Sequence, residues 1–177
     1  LIALAAIATV ALADVIYVYQ GTITATATTP PLTFSTGPNG QNNYITFTGT
    51  DKGFTATIAL TNSYAAYFYE AGELTVNTGG TLYVSSVSTS GSPMISSMII
   101  YIAPSSSPNS PVCTFQVLSG GATTVPTTTC SLTTTDSPYY IHIYVVTNTP
   151  VTNTLSETVT VNFGYNVVSN QAVQVPQ

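Results

Sequence analysis

Charge is what this sequence most lacks. One lysine, no arginine and six carboxylates leave 4% of its 177 residues charged, with a net charge of −5, where ordinary globular domains carry about 25%. Neutralising the phosphates of a nucleic acid takes clustered Lys and Arg, and Lys52 stands alone. Nucleic acid is therefore excluded as a partner. Tryptophan is absent as well, which counts against a sugar-binding module built on stacked indoles. The chain is still not a disordered acidic segment, because 44% of its residues are hydrophobic and twelve are tyrosine.

The same shortage leaves little for catalysis. The groups that could move protons or hold metal are Asp14, Asp51, Glu70, Glu73, Asp136, Glu157 and His142. There is no Gly-x-Ser-x-Gly elbow to pair with His142, no Asp-x-Asp-x-Asp-Gly calcium loop and no phosphate-binding glycine loop. Glu70 and Glu73, the one close carboxylate pair, read as a solvated turn. His142 lies in Tyr140-Ile141-His142-Ile143-Tyr144 and reads as a surface or hydrogen-bonded histidine of a strand, on the face shared by the two tyrosines. The expectation is a non-enzyme with no cofactor and no metal.

What is abundant is the neutral hydroxyl: 33 threonines and 18 serines, by count along the chain. Solubility rests on hydroxyls and amides in place of charge. From Leu32 onward, β-branched and aromatic residues alternate with polar ones between Gly, Pro, Asn and Ser clusters. Tyr44–Thr50 and Phe54–Leu60, separated by Asp51-Lys52-Gly53, read as a hairpin. Further strands are expected at Tyr64–Tyr69, Glu73–Val76, Thr81–Val87, Ile95–Ala103, Val112–Leu118, Thr123–Leu132, Tyr139–Thr147 and Thr158–Val168. About ten short strands at this spacing point to an immunoglobulin-like β-sandwich.

Cys113 and Cys130 lie on either side of the turn sequence Ser119-Gly120-Gly121-Ala122, with their midpoint between Gly121 and Ala122. Positions symmetric about a hairpin turn face each other at a separation that a disulfide can span. A bond closing this loop contributes about 3 kcal/mol on the chain-entropy model and implies an oxidising, exterior location. No Asn is followed two residues later by Ser or Thr, so N-linked sugar is not expected. The runs Ser105–Ser107, Thr127–Thr129 and Thr133–Thr135 are candidate sites for O-linked sugar.

The N-terminal segment differs in kind. Leu1–Tyr19 is a near-continuous apolar run interrupted by Thr9 and Asp14, about 28 Å long as an α-helix and close to the thickness of a bilayer core. A secretory signal peptide ending at Ala11-Leu12-Ala13, a transmembrane anchor, and a helix that is stored in the membrane and then packs against copies of itself are the competing readings, and the third is preferred. An N-terminal donor strand is a fourth. Asp14 in such a helix must be neutral, paired or bonded to a neighbour. It either fixes helix register or lies at the bundle surface.

An Ala/Leu/Ile/Val helix running into a Thr-rich β-domain resembles the archaeal type IV pilins and their archaellin relatives. The resemblance rests on residues 1–27 and the overall architecture, and Ala5 stands where bacterial members carry Glu. It implies a mainly β protein with one N-terminal α-helix: residues 1–27 as the filament core and 28–177 as the head domain. Leu1, Ile2, Leu4, Ile7, Val10, Leu12, Asp14, Val15, Ile16 and Val18 would form the polymerisation core. The implied partners are copies of the chain itself, the membrane before assembly, and surface or glycan adhesion targets. The implied location is an extracellular adhesive filament. The runners-up are a donor-strand filament, in which residues 1–13 or 15–24 complete a neighbour's sandwich, and a monomeric surface-anchored binding module whose Tyr69, Tyr83 or Tyr139 stack on sugars. With so few titratable groups, the assembly is expected to be insensitive to acid.

Overall fold

The structure, a computed structural model, describes residues 16–148 and 150–176. Among these residues eleven strands are formed: β1 (Leu32–Thr36), β2 (Ile45–Thr50), β3 (Gly53–Ile58), β4 (Ala65–Val76), β5 (Gly80–Gly91), β6 (Ile95–Pro104), β7 (Cys113–Ser119), β8 (Ala122–Thr123), β9 (Thr129–Leu132), β10 (Tyr139–Thr147) and β11 (Glu157–Asn166). Period-two patterning drives them, because successive side chains point to opposite faces of a sheet. In β2, Ile45 and Phe47 are buried while Thr46 and Thr48 are exposed. In β7, Cys113, Phe115 and Val117 are buried around exposed Thr114 and Gln116.

A six-stranded sheet in the order β1-β4-β10-β6-β7-β8 forms one layer, and the three-stranded sheet β11-β5-β9 and the β2–β3 hairpin lie over it. Phe115 of β7 meets Phe163 of β11 at 6.1 Å between ring centroids, and Phe34 of β1 meets Phe54 of β3 at 5.6 Å. These contacts tie both smaller units to the large sheet. The core between the layers includes Phe47, Leu74, Leu82, Ile102, Phe115, Val117, Leu132, Tyr139, Ile141 and Val145.

The expected fold class is corrected. The described part of the chain is all-β with a curled sheet and no helix. Its strands divide six, three and two, unlike the two complete sheets expected of an immunoglobulin-like sandwich. The part of the expected helix that is described, from Ile16 to Ala27, has neither helical nor strand structure and is exposed throughout. The physical reason is in the residues: Ile16, Val18, Ile23 and the threonines at 22, 24 and 26 are β-branched, and Gly21 adds backbone entropy. The segment is also uncovered in the single subunit, and helices draw most of their stability from tertiary packing of an apolar face. Of the expected polymerisation core, Ile16 and Val18 are therefore exposed and non-helical. Leu1, Ile2, Leu4, Ile7, Val10, Leu12, Asp14 and Val15 lie outside the described residues. Among the described residues, no helix is long and apolar enough to cross a membrane.

The β2–β3 hairpin forms as expected, with Thr50 opposite Gly53. β4 joins two expected strands into one. It passes through an irregularity at Glu70, which has a positive φ of 51°, facing a register shift between Ile141 and Ile143 of β10. The expected strand Thr123–Leu132 is split around Pro126, with β8 pairing β7 and β9 crossing to pair β5.

Cys113 and Cys130 form the disulfide, with Cα atoms 5.4 Å apart. Its placement differs from the expected one. Cys113 belongs to the six-stranded sheet and Cys130 to the opposing three-stranded sheet, so the bond staples one layer to the other instead of spanning a single hairpin.

Candidate functional site

The second layer contains a groove. On one side runs β3, which is paired to β2; on the other runs β11, which is paired to β5. No ladder joins β3 to β11 among the described residues, so each presents a strand edge to the cleft between them. Strand edges carry rows of backbone N–H and C=O groups that act as templates for pairing with another chain.

The walls of the groove are apolar on the inside and hydroxylated on the outside. Phe54, Ala56 and Ile58 of β3 and Val159, Val161 and Phe163 of β11 point toward the core and are only half-buried. Thr55, Thr57, Thr158, Thr160 and Asn162 point to solvent. Leu32, Phe34, Leu82, Met98, Ile100 and Ile143 also line the cleft, which has a volume of about 730 Å³. Phe54 stacks on Phe47 at 4.7 Å and reaches across to Phe163 at 6.2 Å, so the two walls come together at this pair of rings. Lys52, the one cation of the sequence, also lines the cleft. So does Tyr165, whose hydroxyl donates to the Thr78 carbonyl at 2.7 Å and is pushed by burial up to a pKa of about 12.

The chain also leaves a segment without helix or strand structure uncovered. Residues 16–28 are exposed, with Ile23 at 98%. The segment is tied down only where it meets β1: the Asn77 side-chain amide donates to the Pro30 carbonyl at 2.9 Å, and the Asn77 backbone N–H donates to the Pro31 carbonyl at 2.8 Å.

A second cluster occupies the outer face of the six-stranded sheet. His142 is 1% exposed. The register shift in β10 frees the Glu70 N–H from the ladder, and it donates to His142 Nδ1 at 2.7 Å. Nδ1 is therefore the unprotonated nitrogen, and Nε2–H donates to the Pro108 carbonyl at 3.0 Å. Tyr69 stacks on the imidazole at 4.8 Å. Tyr67 gathers beside it with Tyr101 and Tyr144, and burial together with Tyr101 raises the Tyr67 pKa. Burial lowers the His142 pKa, while the Pro108 carbonyl and Glu70 act in the opposite direction. The ring is held as a neutral hydrogen-bonded bridge.

The sequence-derived candidates scatter. Tyr83 and Tyr139 are buried, 7% and 1% exposed, and cannot stack on a sugar; their hydroxyls serve the Val173 carbonyl and the Thr133 backbone instead. Glu70 belongs to the bulge, with its carboxylate accepting from Asn39. Glu157 caps the start of β6, accepting from the Met94 and Ile95 N–H groups. Among the described residues no three of His, Cys, Asp and Glu gather. The groove itself went unread in the sequence. Its signal was the pair of strands with apolar inward and threonine outward faces that have no third strand beside them. No family model matches the chain, and neither does any curated protein.

Proposed function

We propose that the chain is the structural subunit of an extracellular adhesive filament whose copies join by strand addition, each accepting an extended segment of a second copy into the groove between β3 and β11. The observation that carries this reading is the apolar groove flanked by two strand edges. An incoming strand would bond both edges through its backbone and seat alternate side chains on the core. Donor and acceptor surfaces on one subunit differ, so the contact is head-to-tail and extends into a filament. The disulfide fits an oxidising exterior, and a hydroxyl-covered surface of low charge suits a protein whose function is to self-associate. From the resemblance to archaeal type IV pilins the proposal keeps the filament and leaves aside the helical bundle. The apolar residues Leu1–Ala13 would hold the chain at the membrane before assembly. Electron microscopy of the concentrated full chain tests the reading. Filaments are expected, and monodisperse monomers at every concentration would overturn it.

A second reading, a surface-anchored binding module, is favoured by one feature: a depression of about 500 Å³ lined by Asn39, Asn42, Tyr44, Tyr67 and Tyr69. Amides beside exposed phenol rings suit a neutral glycan. Glycan-array binding by a chain that remains monomeric would favour this reading over the filament.

A further inference from the structure

Strand addition needs a donor, and among the described residues the two terminal segments outside the strands are candidates for that role. Resting on the strand-addition reading, we infer that residues 19–27 of one copy are the donated strand, and that Gly21 seats where Phe54 and Phe163 of the acceptor meet.

The C-terminal segment is already tied to its own subunit. The Tyr83 hydroxyl donates to the Val173 carbonyl at 2.6 Å and the Asn166 amide to the Gln171 carbonyl at 2.9 Å, while Asn166 Oδ1 accepts from the Val168 and Ser169 N–H groups. Donating it would break those bonds. The N-terminal segment costs nothing comparable, because it is exposed throughout and Gly21 has no neighbour within 4 Å of where a Cβ would stand.

Its side-chain pattern matches the walls. Tyr19, Gly21, Ile23, Ala25 and Ala27 alternate with Gln20, Thr22, Thr24 and Thr26. β3 and β11 carry the same scheme, apolar inward and threonine outward. A strand of residues 19–27 would therefore continue both the apolar floor and the hydroxylated outer face without a break. Its length also fits: nine residues extend about 30 Å, comparable to the ten residues of β11. Pro30 and Pro31 lack the N–H that would prolong the ladder.

The register follows from size. The Phe54 and Phe163 rings approach to 6.2 Å across the groove, and a strand passing between the walls there has no space for a side chain. Gly21 is the one glycine between residues 16 and 29. Placing it at the ring pair sets Tyr19 and Ile23 on either side, facing the core.

Full-chain variants test this, because the donor positions are exposed in the single subunit. Ile23→Asp and Gly21→Leu should melt like the parent as dispersed subunits yet raise the concentration needed for assembly by at least about 100-fold, the penalty of a buried charge or an overfilled site. Thr22→Asp and Thr24→Asp, on the outward face, should assemble within about twofold of the parent. Ile23→Cys combined with Val161→Cys should give a ladder of covalent multimers on a non-reducing gel under mild oxidation. If the parent forms filaments and Ile23→Asp assembles as readily as Thr22→Asp, the donor assignment fails while strand addition survives. If the parent never assembles, both fail. A cross-link confined to monomers would mean that the segment fills its own groove, which overturns the inference.

Discussion

At the scale of single residues, His142 sets how the molecule responds to acid. Its Nδ1 accepts from the Glu70 N–H and its Nε2 faces the Pro108 carbonyl, and protonating Nδ1 breaks the first of these bonds. Burial holds the folded pKa below the ordinary 6.5. A group whose pKa is depressed on folding contributes stability above its unfolded pKa and loses it as pH falls through the folded one. The urea midpoint should therefore be lower at about pH 5 than at about pH 8, against the acid insensitivity that the scarcity of charge suggests. His142→Asn, which keeps an acceptor near the position of Nδ1, should flatten that difference. An unchanged pH slope in the variant would remove His142 as its cause. A second residue-scale prediction concerns Gly72, where an added Cβ would run into the Phe47 ring. That ring is 1% exposed and stacked on Phe54, so it has nowhere to move. Gly72→Ala should cost about 1–3 kcal/mol in chemical denaturation.

At the scale of elements, the disulfide joins the strands most in need of it. β9 is four residues long and among the described residues pairs with β5 alone, and its bond to Cys113 ties it to the opposite layer. Replacing both cysteines with serine should lower unfolding free energy by about 3 kcal/mol, read by urea titration. A loss below about 0.5 kcal/mol would mean that the stretch between them is already constrained in the unfolded chain. The pairing was legible in the sequence, but its reason was not: a midpoint between Gly121 and Ala122 suggested one hairpin, whereas the chain breaks around Pro126 and β9 pairs with β5 of the other sheet. The β2–β3 hairpin was legible because Ile45, Phe47, Phe54, Ala56 and Ile58 alternate cleanly about a short turn. β1 was not, because Leu32–Thr36 is short and follows two prolines, and its pairing with β4 is visible only in three dimensions. A helix reaching Ala27 was expected because the resemblance to pilins extends the upstream apolar run across a stretch where Thr22, Thr24 and Thr26 alternate with Ile23, Ala25 and Ala27 as in a strand. That same alternation, read as a strand without a partner in its own subunit, is what points to the groove.

At the scale of the whole molecule, a surface poor in charge, a stapled two-layer core and a groove flanked by two strand edges occur together. Low charge leaves little repulsion between copies, and the half-buried faces of β3 and β11 supply the apolar surface that association would cover. Assembly driven this way should depend weakly on salt, because few charges are involved. Filament yield should change little between low and high ionic strength when followed by sedimentation. The most direct measurement is amide hydrogen exchange along residues 19–27 in dispersed subunits and in filaments. The account predicts fast exchange throughout the segment when dispersed and strong protection once assembled, with matching protection on β3 and β11. Filaments in which residues 19–27 still exchange as fast as in dispersed subunits would contradict it.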